Sequence, residues 1–402
     1  MPLFSRLRHD VPPRERPSPT IYLAGPCGAS TGGMYQISLY LQQASSDSGL
    51  AGAELRLLDT RGAGSAFWSA FHVIAAAATI AWARIRGRVA GVHIHVAERL
   101  SLVRKGLLVA SCRMLRVPVV LHLHAAELEQ NYAALPDALR AIVRLMFRMP
   151  HCCVALGQAA ATFLEREIGV PRARIEVVTN GVPDPSARGR GARPDGLVKV
   201  LFVGNLCERK GVSVLLRALA DPRLQDVPVH LTLAGRGDIA GYEALARALR
   251  VGGKVHFTGW AEKATIDQLL ADSDVFVLPS FNEGLPLAIL EALALGVPVV
   301  CTPVGEIPQV LEHGRSAHFV EPGDVGGLAA ALADLARHAS KRLVLARGGR
   351  AAYEDRFSLA AFARAIAQIH LRHFGVSSLG QEQPVRPADD LAHAGWSTLP
   401  SG

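Results

Sequence analysis

Glu283 and Glu291 frame the stretch EGLPLAILE, a turn followed by a strongly apolar helix. An ionised carboxylate is costly to bury unless a partner meets it, so Glu291 is expected to reach either solvent or a polar ligand. The seven residues between the two acids carry the second one into the helix interior, facing a cleft rather than the helix tip. A ligand spanning the mouth of that cleft would meet Glu283 at one end and Glu291 at the other. The plainer alternative is a first-turn acid favoured by the helix dipole and a second acid that snorkels to water.

A second set lies in GNLCERKGVSVLL, where a helix is expected to begin near Val212, just after Arg209 and Lys210. Cations there oppose the helix dipole, unless an anion such as phosphate sits between them and the free backbone amides; otherwise they are two solvated side chains. In GPCGASTGGMYQISLYL, Gly32 and Gly33 precede a helix near Met34 and would let a phosphate or sugar approach the backbone closely, or simply make a turn. His93 with His95, and His122 with His124, are each two apart on a strand, so each pair points to one face. Four imidazoles on neighbouring strands suggest a metal such as zinc, or histidines buried against backbone carbonyls. Arg104 and Lys105 read as a basic loop suited to an acceptor's phosphate, or as an exposed pair.

These residues need two scaffolds to hold them. Short apolar runs bounded by glycine alternate with longer Ala- and Leu-rich segments, the rhythm of strand–helix units around parallel sheets. IYLAG, ELRLLD, VHIHV, VPVVLHLH, CCVALG and RIEVVTNGV are strand candidates in the first half; KVLFVGN, VHLTLAG, KVHFTGW, DVFVLPS, VPVVCTP and HFVEPGD follow in the second. The expected division is a leader over 1–19, an α/β domain over 20–184, a Pro/Gly/Arg-rich linker over 185–196, and a second α/β domain over 197–356. An amphipathic helix over 357–374 with Ser358 as its N-cap and a tail over 375–402 complete it. Two such sheets imply a cleft at the carboxyl ends of their strands.

Composition narrows the field. The chain has 402 residues, half of them hydrophobic, which suits two cores better than one. Six scattered cysteines without a CxxC argue against a disulfide framework or a cysteine zinc site and fit a reducing cytoplasm. The net charge is +8, and the surplus is N-terminal: residues 1–185 hold 20 Lys and Arg against 13 Asp and Glu, the remainder 23 against 22. That asymmetry suits an anionic membrane surface or a phosphorylated substrate. No basic stripe interleaved with aromatics points to nucleic acid. The Ala-rich run 66–83 reads as a buried or membrane-surface helix.

In combination, EGLPLAILE, GNLCERKG, LTLAGRGD and VLPSFNEGLP resemble the retaining glycosyltransferases of the GT4 type, across residues 20–374. The resemblance implies the GT-B fold: two Rossmann-like parallel-sheet domains face a central cleft, and the last helix crosses back to the N-terminal domain. It implies that Glu283 holds hydroxyls of the transferred sugar with the amides around Gly284 and Leu285, that Glu291 holds the ribose diol, and that Lys210 meets the donor diphosphate. Many relatives carry a cation where this chain has Asn205, and Arg209 is the candidate replacement. Gly32 and Gly33 match the family's glycine-rich loop. LHLHAAE followed by a tyrosine is similar to the histidine loop of polysaccharide-forming relatives, which assigns His124 to the reaction centre with His122 in reserve. The implied donor is a nucleoside diphosphate sugar and the acceptor a lipid-linked or glycan chain at the inner membrane face. No cofactor or metal is expected, since no DxD motif stands in a suitable setting. A sugar-nucleotide 2-epimerase on the same fold and a histidine-site metallohydrolase are the alternatives.

Overall fold

Runs of Val, Ile, Leu and Phe that are apolar on both faces are satisfied only where both faces are covered, the condition of a parallel sheet flanked by helices. A computed structural model, which describes residues 18–28, 32–48, 52–62, 68–97, 100–185 and 196–380, contains two such sheets. The first is made of β1 (Thr20–Gly25), β2 (Glu54–Asp59), β3 (Val89–Val96), β4 (Val119–Leu123), β5 (Cys152–Ala155) and β6 (Ile175–Val177). The second is made of β7 (Val198–Val203), β8 (Val229–Ala234), β9 (Val255–Gly259), β10 (Val275–Leu278), β11 (Val299–Cys301) and β12 (His318–Phe319). Each of the twelve expected runs contains one strand, although RIEVVTNGV contributes only the three residues of β6.

The strand orders are β2-β1-β3-β4-β5-β6 and β12-β11-β10-β7-β8-β9, and the paired strands run parallel. Each order reverses once, between β1 and β3 in the first sheet and between β7 and β10 in the second. At such a reversal the loops leaving the strands part in opposite directions and open a crevice at the carboxyl ends.

Helix Leu359–Phe374 starts on the expected cap, the Ser358 hydroxyl accepting from the Ala361 amide at 3.3 Å. It returns to the first sheet, where His370 meets His93 and the Phe374 ring fills the space over Gly91. The expected tail starts later than 375, because Ser45 donates to the Ser378 carbonyl at 2.6 Å and the Gly380 amide donates to Ser48 at 3.0 Å. Residues 381–402, residues 1–17 of the expected leader and 186–195 of the linker lie outside the described residues.

Helix Trp68–Ile85 is long and apolar enough to cross a membrane by length and composition, yet it packs along helix Leu100–Met114 on the surface of the first domain. The segment is thus a surface helix and not a buried one; residues 66 and 67 lie outside the described residues. All six cysteines are free thiols.

Candidate active site

Loops at the carboxyl ends of both sheets face a single cleft of about 740 Å³. Gly32, Gly33 and His124 line it from the first domain; Asn205, Arg209, Lys210, Glu283, Gly284, Leu285 and Glu291 line it from the second. Lys210, Glu283 and Glu291 are therefore within reach of one small molecule.

Lys210 ends a 3-10 turn, Glu208–Lys210, that leads into helix Val212–Leu219. The hinge between them is Gly211, at φ 72°, where a Cβ would stand 2.0 Å from the Pro279 carbonyl oxygen. Only glycine permits that approach of the loop after β7 to the loop after β10. The approach sets Lys210 Nζ against Glu283 Oε1, to which it donates, and Ser280 donates to the same oxygen at 2.8 Å. Glu283 is buried, and a Cβ at Gly305 would lie 1.9 Å from its carbonyl oxygen, so the backbone that carries the acid is closely confined. Arg209 turns elsewhere. It donates to the Asn282 carbonyl at 2.6 Å, its guanidinium lies 3.8 Å from Glu283, and it reaches Glu127 of the first domain at 3.7 Å.

Glu291 projects from helix Leu287–Ala294 and has two partners that its sequence context did not reveal. The Tyr40 hydroxyl, from helix Gly33–Asp47 across the cleft, donates at 3.0 Å, and Lys263 stands at 3.3 Å. Burial raises the carboxyl above its ordinary range, while Lys263 and Tyr40 hold it back. Burial, with the Glu291 charge beside it, pushes the Tyr40 phenol upward. In this state the carboxylate is satisfied by one side chain from each domain.

The histidines form a connected group. His95 and His122 are register partners on β3 and β4, and His93, His95 and His122 are fully buried. His124, just beyond β4, lines the cleft, and its Nε2 is 2.9 Å from His95 Nδ1. Behind it, His122 Nδ1 lies 3.2 Å from His93 Nε2, and His93 Nδ1 lies 2.8 Å from His370 Nε2. Burial lowers all five imidazoles, His124 and His370 to about 3, so each is neutral at physiological pH. His122 does not line the cleft. Its buried position also gives the metallohydrolase reading no substrate-facing ligand at that residue.

Arg104 and Lys105 lie on helix Leu100–Met114, not on a loop, and neither lines the cleft. A helix turns its side chains through about 100° per residue, and this turns Lys105 inward. It is 2% exposed and donates to the Ala24 carbonyl at 3.2 Å and to the Thr60 hydroxyl. It has no route to an acceptor phosphate.

Several cleft residues escaped the sequence reading. Besides Tyr40 and Lys263 they include Asn180, whose buried Oδ1 lacks a partner, and Arg236, which stacks over Trp260 at 5.2 Å. LTLAGRGD pointed to the Arg236 region without singling the residue out; Tyr40 and Lys263 carry no local signal. Glu306 also links the domains. Its carboxylate accepts from the Ala159 and Ala160 amides, at 3.3 and 2.7 Å, at the start of helix Gln158–Arg166.

Two family models match the chain in tandem: Glycosyltransferase Family 4 over residues 54–184 and Glycosyl transferases group 1 over residues 198–338. Each of the two α/β domains thus carries a region similar to one glycosyltransferase family model, and together the two matches span most of the chain. It is 30% identical over 217 residues to the putative colanic acid biosynthesis glycosyltransferase WcaL of Salmonella typhimurium, covering 51% of this chain and 52% of WcaL. It thus spans about half the length of that relative. Glycogen synthase of Mycobacterium tuberculosis is 28% identical over 292 residues, covering 71% of this chain and 70% of the synthase. Among solved structures, HepE of Anabaena in complex with UDP-glucose superimposes with a TM-score of 0.67 at 18% identity, covering 87% of this chain and 98% of HepE. The two facing sheets are the GT-B fold. The matched families are transferase families, so the epimerase and metallohydrolase readings gain nothing from them.

Proposed function

We propose that this glycosyltransferase retains anomeric configuration and moves a sugar from a nucleoside diphosphate sugar to a lipid-linked or polysaccharide acceptor. The observation that carries the reading is the convergence of Lys210, Glu283 and Glu291 on one interdomain cleft, with His124 and the Gly32–Gly33 helix end on its opposite wall. Glycosyl transfer asks the protein for leaving-group stabilisation and for placement of the acceptor. Lys210 would leave Glu283 for the donor diphosphate, with Arg209 as the second cation in place of the one missing at Asn205. Glu283, released, would accept from sugar hydroxyls beside the Gly284 and Leu285 amides, and Glu291 from the ribose diol. The acceptor oxygen would attack on the face the diphosphate leaves, giving its proton to a donor phosphate oxygen, with no added metal. HepE is solved with UDP-glucose, which supports a uridine donor, and the WcaL name supports polysaccharide assembly.

A membrane-facing location, on the cytoplasmic side, fits the first domain's surface. Helices Trp68–Ile85, Leu100–Met114 and Asp137–Arg148 pack side by side and expose Trp68, Ile74 and Trp82, then Val103 and Leu107, then Ile142 and Leu145. Exposed Arg84 and Arg113 lie on two of these helices, and exposed Arg86 and Arg88 follow the end of the first; together they suit anionic headgroups.

The test is incubation of the purified protein with a panel of sugar nucleotides and glycolipid acceptors, with and without chelator. Release of nucleoside diphosphate that depends on donor and acceptor and ignores chelator is expected. A new sugar-nucleotide isomer, or a chelator-sensitive hydrolysis that needs no acceptor, would overturn the reading.

A further inference from the structure

We infer that His93, His95 and His122 form a buried site for one transition-metal ion of the zinc, nickel or copper kind. Nitrogen atoms of the three rings lie within 4.8 Å of one another, and none of the rings is exposed. The site is separate from the donor cleft, from which His124 walls it off, and it does not depend on the reading of the donor site.

The hydrogen bonds around the group admit a tautomer set in which its lone pairs point inward. His95 Nδ1 meets His124 Nε2 and His93 Nδ1 meets His370 Nε2, while His370 Nδ1 meets the Ser378 hydroxyl at 2.9 Å. If each inner ring donates outward along these contacts, His95 Nε2 and His93 Nε2 are left as bare lone pairs facing the interior. His122 Nδ1 lies 3.2 Å from His93 Nε2, close to the roughly 3.3 Å between two ligands on a tetrahedral ion with bonds of about 2.0 Å. Without an ion the set cannot be completed. If His122 donates from Nδ1 to His93, its own Nε2 and that of His95 stay buried with no partner. If it carries the proton on Nε2 instead, two lone pairs face each other. An unpaired buried polar atom is costly.

An ion would accept all three lone pairs, and the His95–His124 and His93–His370 contacts would become the second sphere that orients two of the ligating histidines, leaving His122 Nε2 as the one ring nitrogen of the three without a partner. Because His370 belongs to the returning C-terminal helix, the ion would pin that helix to β3 and β4. All-imidazole ligation suits zinc, nickel and copper rather than magnesium or calcium.

The test uses the full chain without a polyhistidine tag, equilibrated with Zn(II) or Co(II), dialysed into metal-free buffer and assayed for metal content. One ion retained per chain is expected, with the visible absorption of four-coordinate Co(II). His95→Gln and His122→Gln should each abolish retention, while His313→Gln, at the separate His313–His318 pair, should leave it intact. Circular dichroism confirms that the variants are folded, and the wild-type stoichiometry stands as a test without them. Wild-type protein that keeps no more metal than the dialysis buffer holds would overturn the site, leaving a bound water as the occupant. Undiminished retention in folded His95→Gln and His122→Gln variants would overturn it as well.

Discussion

The Lys210–Glu283 pair is expected to separate stability from turnover. The two side chains are 13% and 7% exposed, so each charge depends on the other more than on water. Lys210→Met leaves Glu283 buried with the Ser280 hydroxyl and an Arg209 guanidinium 3.8 Å away. Breaking a buried pair from one side costs about 3–5 kcal/mol, and the residual partners place this case at the lower end, about 3 kcal/mol. Glu283→Gln keeps a hydrogen-bonding oxygen for Ser280 and frees an amine that can turn into the cleft, for about 1–2 kcal/mol. The Lys210→Met/Glu283→Gln double variant carries no orphaned charge, so it should lose at least about 1.5 kcal/mol less than the sum of the single losses. Turnover should behave differently, falling about a hundredfold or more in all three, because removed electrostatic stabilisation is not restored by removing its neighbour. Guanidinium unfolding and sugar-nucleotide turnover on the same four proteins measure both. A coupling below about 0.5 kcal/mol would refute the energetic argument, and a double variant that turns over normally would refute the site.

Three further outcomes are expected. Burial holds the Lys105 amine down at about 7, whereas in the unfolded chain it keeps its proton to about 10.4. Above neutrality the unfolded chain therefore binds more protons, and stability should rise with pH by up to about 1.4 kcal/mol per unit. Urea unfolding on either side of pH 8 should show the rise in the wild type and lose it in Lys105→Met; a flat wild-type profile would contradict it. Glu306→Ala removes the carboxylate that caps a helix of the opposite domain, which should cost about 0.5–2 kcal/mol and increase the radius of gyration in small-angle scattering. An unchanged radius and stability would show that this contact does not hold the domains together. Flotation with anionic vesicles should carry the protein upward and neutral vesicles less so, with Trp82→Ser weakening the effect; equal partitioning into both would count against a membrane-facing helix layer.

Much of the fold was legible because apolar runs buried on both faces leave few choices but parallel strands, as VVLHL of β4 and VFVL of β10 illustrate. Residues that share a loop with their own motif, such as Lys210 and Glu283, could be placed on the cleft from order along the chain alone. Tyr40 could not, because it meets Glu291 from 251 residues away and only the closure of two domains brings them together. Lys105 was misjudged for a related reason. Adjacent Arg and Lys look like an exposed basic patch, and only helical rotation against a sheet shows that one of them turns inward. His370 is on a helix whose periodicity was clear, but its partner His93 lies on a strand in the other half of the chain.

In the proposed donor complex one sugar nucleotide touches Lys210, Glu283 and Glu291 at once, and a calorimetric titration of UDP and UDP-sugars into the wild type and three variants measures those contacts. Lys210→Met and Glu291→Gln should each weaken UDP binding about tenfold or more, the loss of a charge-assisted contact. Glu283→Gln should bind UDP nearly as the wild type does but lose the preference for UDP-sugar over UDP. Equal affinities in all four proteins, or no binding of any nucleoside diphosphate to the wild type, would contradict the central claim.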